Sequence, residues 1–189
     1  MSPAAAPVRL LTGFAGFGAG SVNLAISSSM FASAGAVEPA RLLAGVLAGL
    51  WGAALLAGAV VFLARERLVG GRWTRYALSS AAAVHLAGIV FAASGTPGLG
   101  LTQLSALLLT LMVIASVGWL GRSGDRRQRM ATYPQAAGMR PGRLLLAAFA
   151  GAVLVAGITT PGLAASTAGQ YAVPHGGHGH LAPAGHHQR

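Results

Sequence analysis

The sequence contains no cysteine and no lysine, and only three of its 189 residues are acidic. Without cysteine, the chain can form neither disulfides nor thiolate metal sites. The acids Glu38, Glu66 and Asp125 all lie outside the long apolar runs, which leaves no carboxylate to carry protons or hold a cation inside a membrane. A proton-coupled pump is therefore not expected.

Charged residues make up 8% of the chain, whereas hydrophobic residues make up 54% and the mean hydropathy is positive. A water-soluble surface cannot be built from this composition. The formal net charge of +10 is typical of many nucleic-acid-binding proteins, but no nucleic-acid module is visible and the arginines lie beside apolar runs. The composition predicts an all-α integral membrane protein whose anionic partner is membrane lipid, with no nucleic acid.

The clearest membrane span is the unbroken apolar run at residues 42–64, between Arg41 and Arg65. A helix of that length reaches roughly 35 Å at about 1.5 Å per residue, and a hydrocarbon layer is about 30 Å thick. Four further runs repeat the pattern. The predicted spans are residues 10–33, 42–64, 76–96, 99–121 and 144–164. The predicted regions are a leader at 1–9, a five-span membrane domain at 10–164 and a disordered, His-rich tail at 165–189.

Short polar segments separate the predicted spans. Residues 65–76 and 122–143 are rich in arginine and contain glycine, so both are predicted to be loops. Residues 95–98, with the sequence GTPG, predict a tight turn between the third and fourth spans. Connections this short make neighbouring helices antiparallel.

The first run has an alternative interpretation as a cleaved signal peptide comprising residues 1–36. Arg9 would be its positive region, and the Ala-Ser-Ala sequence at 32–34 would be its cleavage site. Signal-peptide apolar cores run about 7 to 15 residues, whereas this run is longer and carries Asn23 and several serines. The length favours a true span, and cleavage would leave four spans.

The distribution of arginine predicts the orientation. Residues 1–9, 65–75 and 122–143 carry one, four and six arginines, while the opposite side carries only Arg41 and Arg189. Positively charged loops stay in the cytoplasm during insertion, so the N-terminus is expected inside and the C-terminus outside. All thirteen basic residues are arginine, and alanine and glycine abound, as in GC-rich bacterial genomes. The predicted location is therefore a bacterial inner membrane.

Small residues at four-residue spacing predict where the helices pack. Lipid tails remove the hydrophobic drive for association, so close approach at glycine and alanine becomes important. The first span has Gly16 and Gly20 in this spacing. The second span has four such residues, Gly45, Gly49, Ala53 and Ala57.

His85 is the one ionisable residue within the predicted spans. Asn23 and Thr110 are expected at about the same depth, which would give a polar layer. A ligand or heme site is one interpretation, and a neutral imidazole hydrogen-bonded to a neighbouring helix is the other. A bis-histidine heme would need a second intramembrane histidine, so we expect His85 to be structural.

The tail differs from the rest of the chain because it holds five of the six histidines. They are His175, His178, His180, His186 and His187. Glycine between them opposes a fixed fold but lets several imidazoles reach one ion. Neutral imidazole suits copper(II) and zinc, and the absence of carboxylate and thiolate ligands argues against calcium or a closed structural zinc site.

The resulting hypothesis is a non-enzymatic membrane protein whose tail binds or buffers copper or zinc for uptake, efflux or delivery. Phosphate-binding loops, nucleophile elbows and zinc-protease helices are absent from the sequence. The alternative is a structural or accessory subunit that packs against a membrane protein partner, with a tail that binds no metal. A transporter is a third interpretation.

Overall fold

The computed structural model describes residues 5–32, 38–65, 71–92, 97–129 and 141–170. Within these ranges every regular element is a helix. The helices are α1 (Ala5–Ala32), α2 (Pro39–Arg65), α3 (Gly71–Ala92), α4 (Pro97–Arg129), α5 (Pro141–Ala164) and α6 (Thr167–Gln170). Each of the first five contains a segment long and apolar enough to cross a bilayer. The predicted all-α fold with five candidate spans is confirmed, and it indicates a multi-pass membrane protein.

Proline begins three of the helices, at Pro39, Pro97 and Pro141. The first helical position suits proline because its missing N–H would have no intrahelical partner there. The predicted turn at 95–98 is therefore shorter than expected, since Pro97 already belongs to α4.

The two arginine-rich segments are only partly outside the helices. α3 begins at Gly71, which has a φ of 49°, and α4 continues to Arg129. The prediction of loops throughout 65–76 and 122–143 is wrong at residues 65, 71–76, 122–129 and 141–143, which all lie in helices. The physical reason is that arginine and glutamine are strong helix formers, so a helix can extend beyond its apolar part.

Helix α1 lies at the centre of the bundle, where it packs against α2, α4 and α5. Its most apolar segment is 67% buried, compared with 17% for α2 and 11% for α3. Among the described helices, α2 packs only against α1, and α3 packs only against α4. The helices are therefore neighbours in the order α2, α1, α4, α3, and α5 packs against both α1 and α4.

The α1–α2 seam depends on backbone approach at glycine. A Cβ at Gly20 would lie 2.9 Å from the carbonyl oxygen of Gly52, and a Cβ at Gly52 would lie 2.8 Å from that of Gly20. A Cβ at Gly16 would lie 3.0 Å from the Cβ of Ala59. The predicted packing role of Gly16 and Gly20 is confirmed.

The predicted stripe on α2 is correct at its start and wrong at its end. Gly45 and Gly49 face α1, but Ala53 and Ala57 are exposed. Each four-residue step turns a helix about 40° beyond a full turn, so the stripe leaves the seam. Alternating steps of four and three residues follow a partner helix instead. The α2 seam is Gly45, Gly49, Gly52, Leu56, Ala59 and Leu63.

A second face of α1 forms the apolar core with α4 and α5. Its contributions are Ala15, Ala19, Val22 and Ile26. The facing residues are Ala106, Leu109, Val113 and Val117 of α4 and Val155 of α5. Alternating spacings of three and four on α1 place these side chains on one stripe.

The outward faces of α2, α3 and α5 carry many exposed large apolar side chains. Such continuous apolar surface suits lipid rather than water. One end of the bundle, where α1 begins, is also rich in arginine, and we call it the basic end. The arginines there whose side chains the structure describes are Arg9, Arg65, Arg72, Arg75, Arg122 and Arg143.

Candidate functional site

The five predicted metal ligands, His175, His178, His180, His186 and His187, lie outside the described residues. The chain leading to them is attached to the bundle. The backbone N–H of Thr167 donates to Oγ of Ser29 at 3.1 Å, and the N–H of Gly169 donates to Oγ of Ser166 at 3.2 Å. The second bond caps α6. These contacts hold α6 at the end of α1, opposite the basic end.

Within the described ranges, no group of three or more His, Asp or Glu residues could hold a metal ion. His85 is the histidine that these ranges contain, and it is buried. The described side chains of the spans therefore offer isolated polar groups rather than a ligand cluster.

His85 joins α3 to α4. Its Nδ1 lies 2.7 Å from Oε1 of Gln103. Because a carbonyl oxygen can only accept, Nδ1 carries the ring proton and donates it. The Nε2 atom is then an acceptor, and it is buried with no hydrogen-bond partner among the described residues. The arrangement agrees with the expected structural hydrogen bond to a neighbouring helix.

The partner of His85 differs from the two candidates that sequence suggested. Nδ2 of Asn23 donates to the carbonyl oxygen of Ala19 at 2.8 Å, and Oγ1 of Thr110 donates to that of Ala106 at 2.8 Å. Both bonds stay within one helix, so neither Asn23 nor Thr110 is the hydrogen-bond partner of His85. The signal for Gln103 was present: His85 and Gln103 are equally far from residue 94, and residues of a helical hairpin pair about its turn.

A groove lies between α2 and α3, which do not contact each other among the described residues. Its cavity has a volume of about 290 Å³. The floor is formed by residues of α1 and α4, and small residues of α2 open one side. The lining is Thr12, Gly16, Trp51, Ala54, Leu55, Gly58, Ala59, Phe62, Thr74, Ala77, Leu78, Val113 and Val117. The spacing and composition of the sequence do not predict this groove.

The polar atoms of the groove are few. Oγ1 of Thr12 donates to the carbonyl oxygen of Val8 at 2.7 Å, as hydroxyls often do within helices. Nε1 of Trp51 is buried and has no hydrogen-bond partner among the described residues. Thr74 adds a second hydroxyl, and the remaining lining residues are apolar. The groove therefore suits a hydrocarbon better than a charged molecule.

The basic end lies beside the groove. Arg72 and Arg75 are among the first five residues of α3, on either side of the lining residue Thr74, and Arg65 ends α2. The guanidinium of Arg72 lies 5.7 Å from the ring centroid of Trp73. Trp73 also makes an edge-to-face contact with Tyr76, with 6.2 Å between ring centroids. Exposed aromatic rings beside arginine are typical of the headgroup level of a membrane.

No protein-family model, curated protein or solved structure matches this chain.

Proposed function

We propose that this chain is a non-enzymatic protein of a bacterial inner membrane whose C-terminal histidines bind copper(II) or zinc for uptake, efflux or delivery. The supporting observation is the attachment of α6 to α1 through Thr167 and Ser29. α6 ends at Gln170, five residues before His175, so the bundle would tether the histidine-rich segment at the membrane surface.

The proposed orientation places the basic end in the cytoplasm. All but one of the described arginines lie at that end, and Arg41 is at the other. Positive charge is retained on the cytoplasmic side. The histidines would then lie outside the cytoplasm, where they meet metal before it crosses the membrane or after it leaves.

The chemistry of the proposed site is imidazole coordination. The HGGHGH sequence brings His175, His178 and His180 within a few residues of each other. Ordering a glycine-rich segment opposes binding, so the affinity should fall below that of a preformed site. The ordinary pKa of a histidine imidazole is about 6.5, and protons compete with metal for the same lone pairs.

The test uses the full-length protein in detergent, titrated calorimetrically with copper(II) or zinc. Binding is expected at pH 7.5 and should weaken strongly at pH 5.5. A variant with alanine at all five tail histidines should lose binding. The matched control is His85→Gln, which removes the remaining histidine and should bind like the unchanged protein. Equal heats from the five-alanine variant would eliminate the metal role.

A second candidate is a structural or accessory subunit of a larger membrane complex. The observation that favours it is a small-residue stripe on the exposed face of α3, formed by Ser79, Ala83 and Ala87. Small residues at this spacing permit close helix packing in membranes. The discriminating measurement is the native mass of the protein extracted gently from its own membranes. A mass equal to that of the protein expressed alone would contradict the subunit role.

A further inference from the structure

We infer that the groove between α2 and α3 binds one acyl chain of an anionic phospholipid, with the lipid phosphate against the arginines of the basic end. This site is independent of the metal-binding proposal. It uses a cavity of about 290 Å³ that no helix of the described bundle fills.

The groove exists because two helices are held by separate partners. α2 is fixed to α1 by the glycine seam, and α3 is fixed to α4. The α2 wall contains Ala54 and Gly58, both exposed, and a Cβ at Gly58 would have no heavy atom within 4 Å. The gap is therefore open laterally toward the lipid, which gives a hydrocarbon chain a direct route in.

The length of the groove matches one leaflet. Along α2 the lining runs from Trp51 to Phe62, which corresponds to about 16 Å at 1.5 Å per residue. Half of a hydrocarbon core about 30 Å thick is about 15 Å. Phe62 is three residues from Arg65, so the groove extends from the bundle's middle toward the basic end, as an acyl chain does below its headgroup.

The volume and lining select hydrocarbon over water. An apolar cavity of about 150 Å³ in another protein stays dry and binds benzene, and this groove has about twice that volume. Within it, the hydroxyl of Thr12 is bonded to its own helix. The other polar side-chain groups are the indole N–H of Trp51 and the hydroxyl of Thr74, so the lining is mainly apolar. An acyl chain would restore the packing contacts that the facing walls of α2 and α3 lack.

Charge complementarity selects an anionic lipid. Arg65 lies three residues beyond the lining residue Phe62 on α2, and Arg72 and Arg75 flank the lining residue Thr74 on α3; all three arginines are exposed. Among the side chains that the structure describes, the carboxylate is that of Glu38, at the opposite end of the bundle. Each nearby arginine attracts an anionic headgroup by about 1 kcal/mol. Phosphatidylglycerol carries the net negative charge that these arginines attract. A zwitterionic lipid carries no net charge and should bind more weakly.

The first test is native mass spectrometry of the full-length protein in detergent with added phosphatidylglycerol or phosphatidylcholine. One phosphatidylglycerol should remain bound under conditions that remove phosphatidylcholine. Gly58→Leu fills the groove and should abolish the retained lipid. The matched control is Gly157→Leu, because a Cβ at Gly157 also has no heavy atom within 4 Å but lies on α5. Equal lipid retention by the two variants would overturn the assignment.

The arginines are tested in the same assay. Arg72→Gln and Arg75→Gln should each lower the affinity for phosphatidylglycerol about fivefold, the factor that about 1 kcal/mol represents. Arg143→Gln is the control, since Arg143 is exposed at the same end but belongs to α5. Equal losses from all three substitutions would mean that the lipid responds to net charge and not to this groove.

A second measurement does not depend on the folding of a groove variant. Trp73→Phe combined with Trp119→Phe leaves Trp51 as the one tryptophan. Two sets of vesicles are compared, in which a tenth of the lipid is either phosphatidylglycerol or phosphatidylcholine brominated on the distal half of its chains. Brominated phosphatidylglycerol should quench Trp51 fluorescence more than phosphatidylcholine brominated at the same carbons. Equal quenching by the two lipids would show bulk contact and refute a selective site.

Discussion

The most apolar segments of α1 and α3 have equal mean hydropathy, the lowest among the five spans, yet this segment is 67% buried in α1 and only 11% buried in α3. Hydropathy therefore does not decide which span becomes the centre of this bundle. The difference lies in where each helix carries its polar residues. Beyond Arg9, the polar residues of α1 are uncharged and reach from Thr12 to Ser29, whereas α3 carries two arginines, Arg72 and Arg75, near its start.

Most polar residues of α1 are small, and backbone carbonyl oxygens of α1 and α2 accept hydrogen bonds from their side chains. Oγ of Ser29 donates to the carbonyl oxygen of Ala25 at 2.8 Å, within the helix. Oγ of Ser27 donates to the carbonyl oxygen of Gly45 of α2 at 2.7 Å. Small residues allow backbones to approach, and their hydroxyls then bond across the seam. α3 has fewer such residues at a contact, and its buried residues are Leu78, His85 and Ala92.

The largest expected difference comes from the same substitution in both helices. Ala19→Leu in α1 inserts three carbons at a fully buried position, and overpacking should lower the free energy of unfolding by about 3 kcal/mol. Ala83→Leu in α3 adds the same carbons at an exposed position and should change little. Thermal unfolding in detergent, followed by circular dichroism, measures both. Equal destabilisation would break the distinction between the two helices.

A smaller effect is expected at the glycine seam. Gly52→Ala places a methyl group 2.8 Å from the carbonyl oxygen of Gly20, so the α1–α2 backbones must separate, at a cost of about 1 to 2 kcal/mol. Gly58→Ala, on the same helix, meets nothing within 4 Å and should be neutral or slightly stabilising, because alanine favours helices. The same unfolding assay ranks the two variants. A ranking in the opposite order would contradict the close approach at Gly52.

Removing the hydrogen bond that joins α3 to α4 should destabilise the protein less than a substitution in the glycine seam. Hydrogen bonds between membrane helices average about 0.6 kcal/mol, so His85→Leu should lower the free energy of unfolding by about that amount. His85→Gln keeps a hydrogen-bond donor, so its free energy of unfolding should lie between those of the unchanged protein and His85→Leu. Comparison with Gln103→Leu in a double-mutant cycle isolates the bond between His85 and Gln103. Fully additive effects of the two leucine substitutions would show that this bond does not stabilise the α3–α4 seam.

The smallest effect is expected from Thr159→Val in α5. Oγ1 of Thr159 is buried without a hydrogen-bond partner among the described residues, and it faces Gly18 of α1. Removing an unsatisfied hydroxyl while keeping the shape is nearly neutral or stabilising. The change in unfolding temperature should be within experimental error of zero or slightly positive. A clear decrease would reveal a bond that the hydroxyl makes in the membrane.

The sequence predicts the five apolar helices well, because unbroken runs between arginines leave few alternatives. It also predicts Gly16 and Gly20 at a seam. It does not predict the continuation through Gly52 and Ala59, since a fixed spacing of four ignores the twist of one helix around another. The central position of α1 and the groove between α2 and α3 depend on which helices become neighbours, and composition carries no information about that.

The most direct test of the central claim is a disulfide between α1 and α2. The native chain has no cysteine, so Gly16→Cys with Ala59→Cys introduces the only two thiols. A Cβ at Gly16 lies 3.0 Å from the Cβ of Ala59, close to the usual disulfide separation of about 3.8 Å. After oxidation in isolated membranes, peptide mass spectrometry should find the two helices joined and α1 retained in the mature protein. Two free thiols, or a mature N-terminus beyond Ala32, would contradict a bundle built around α1.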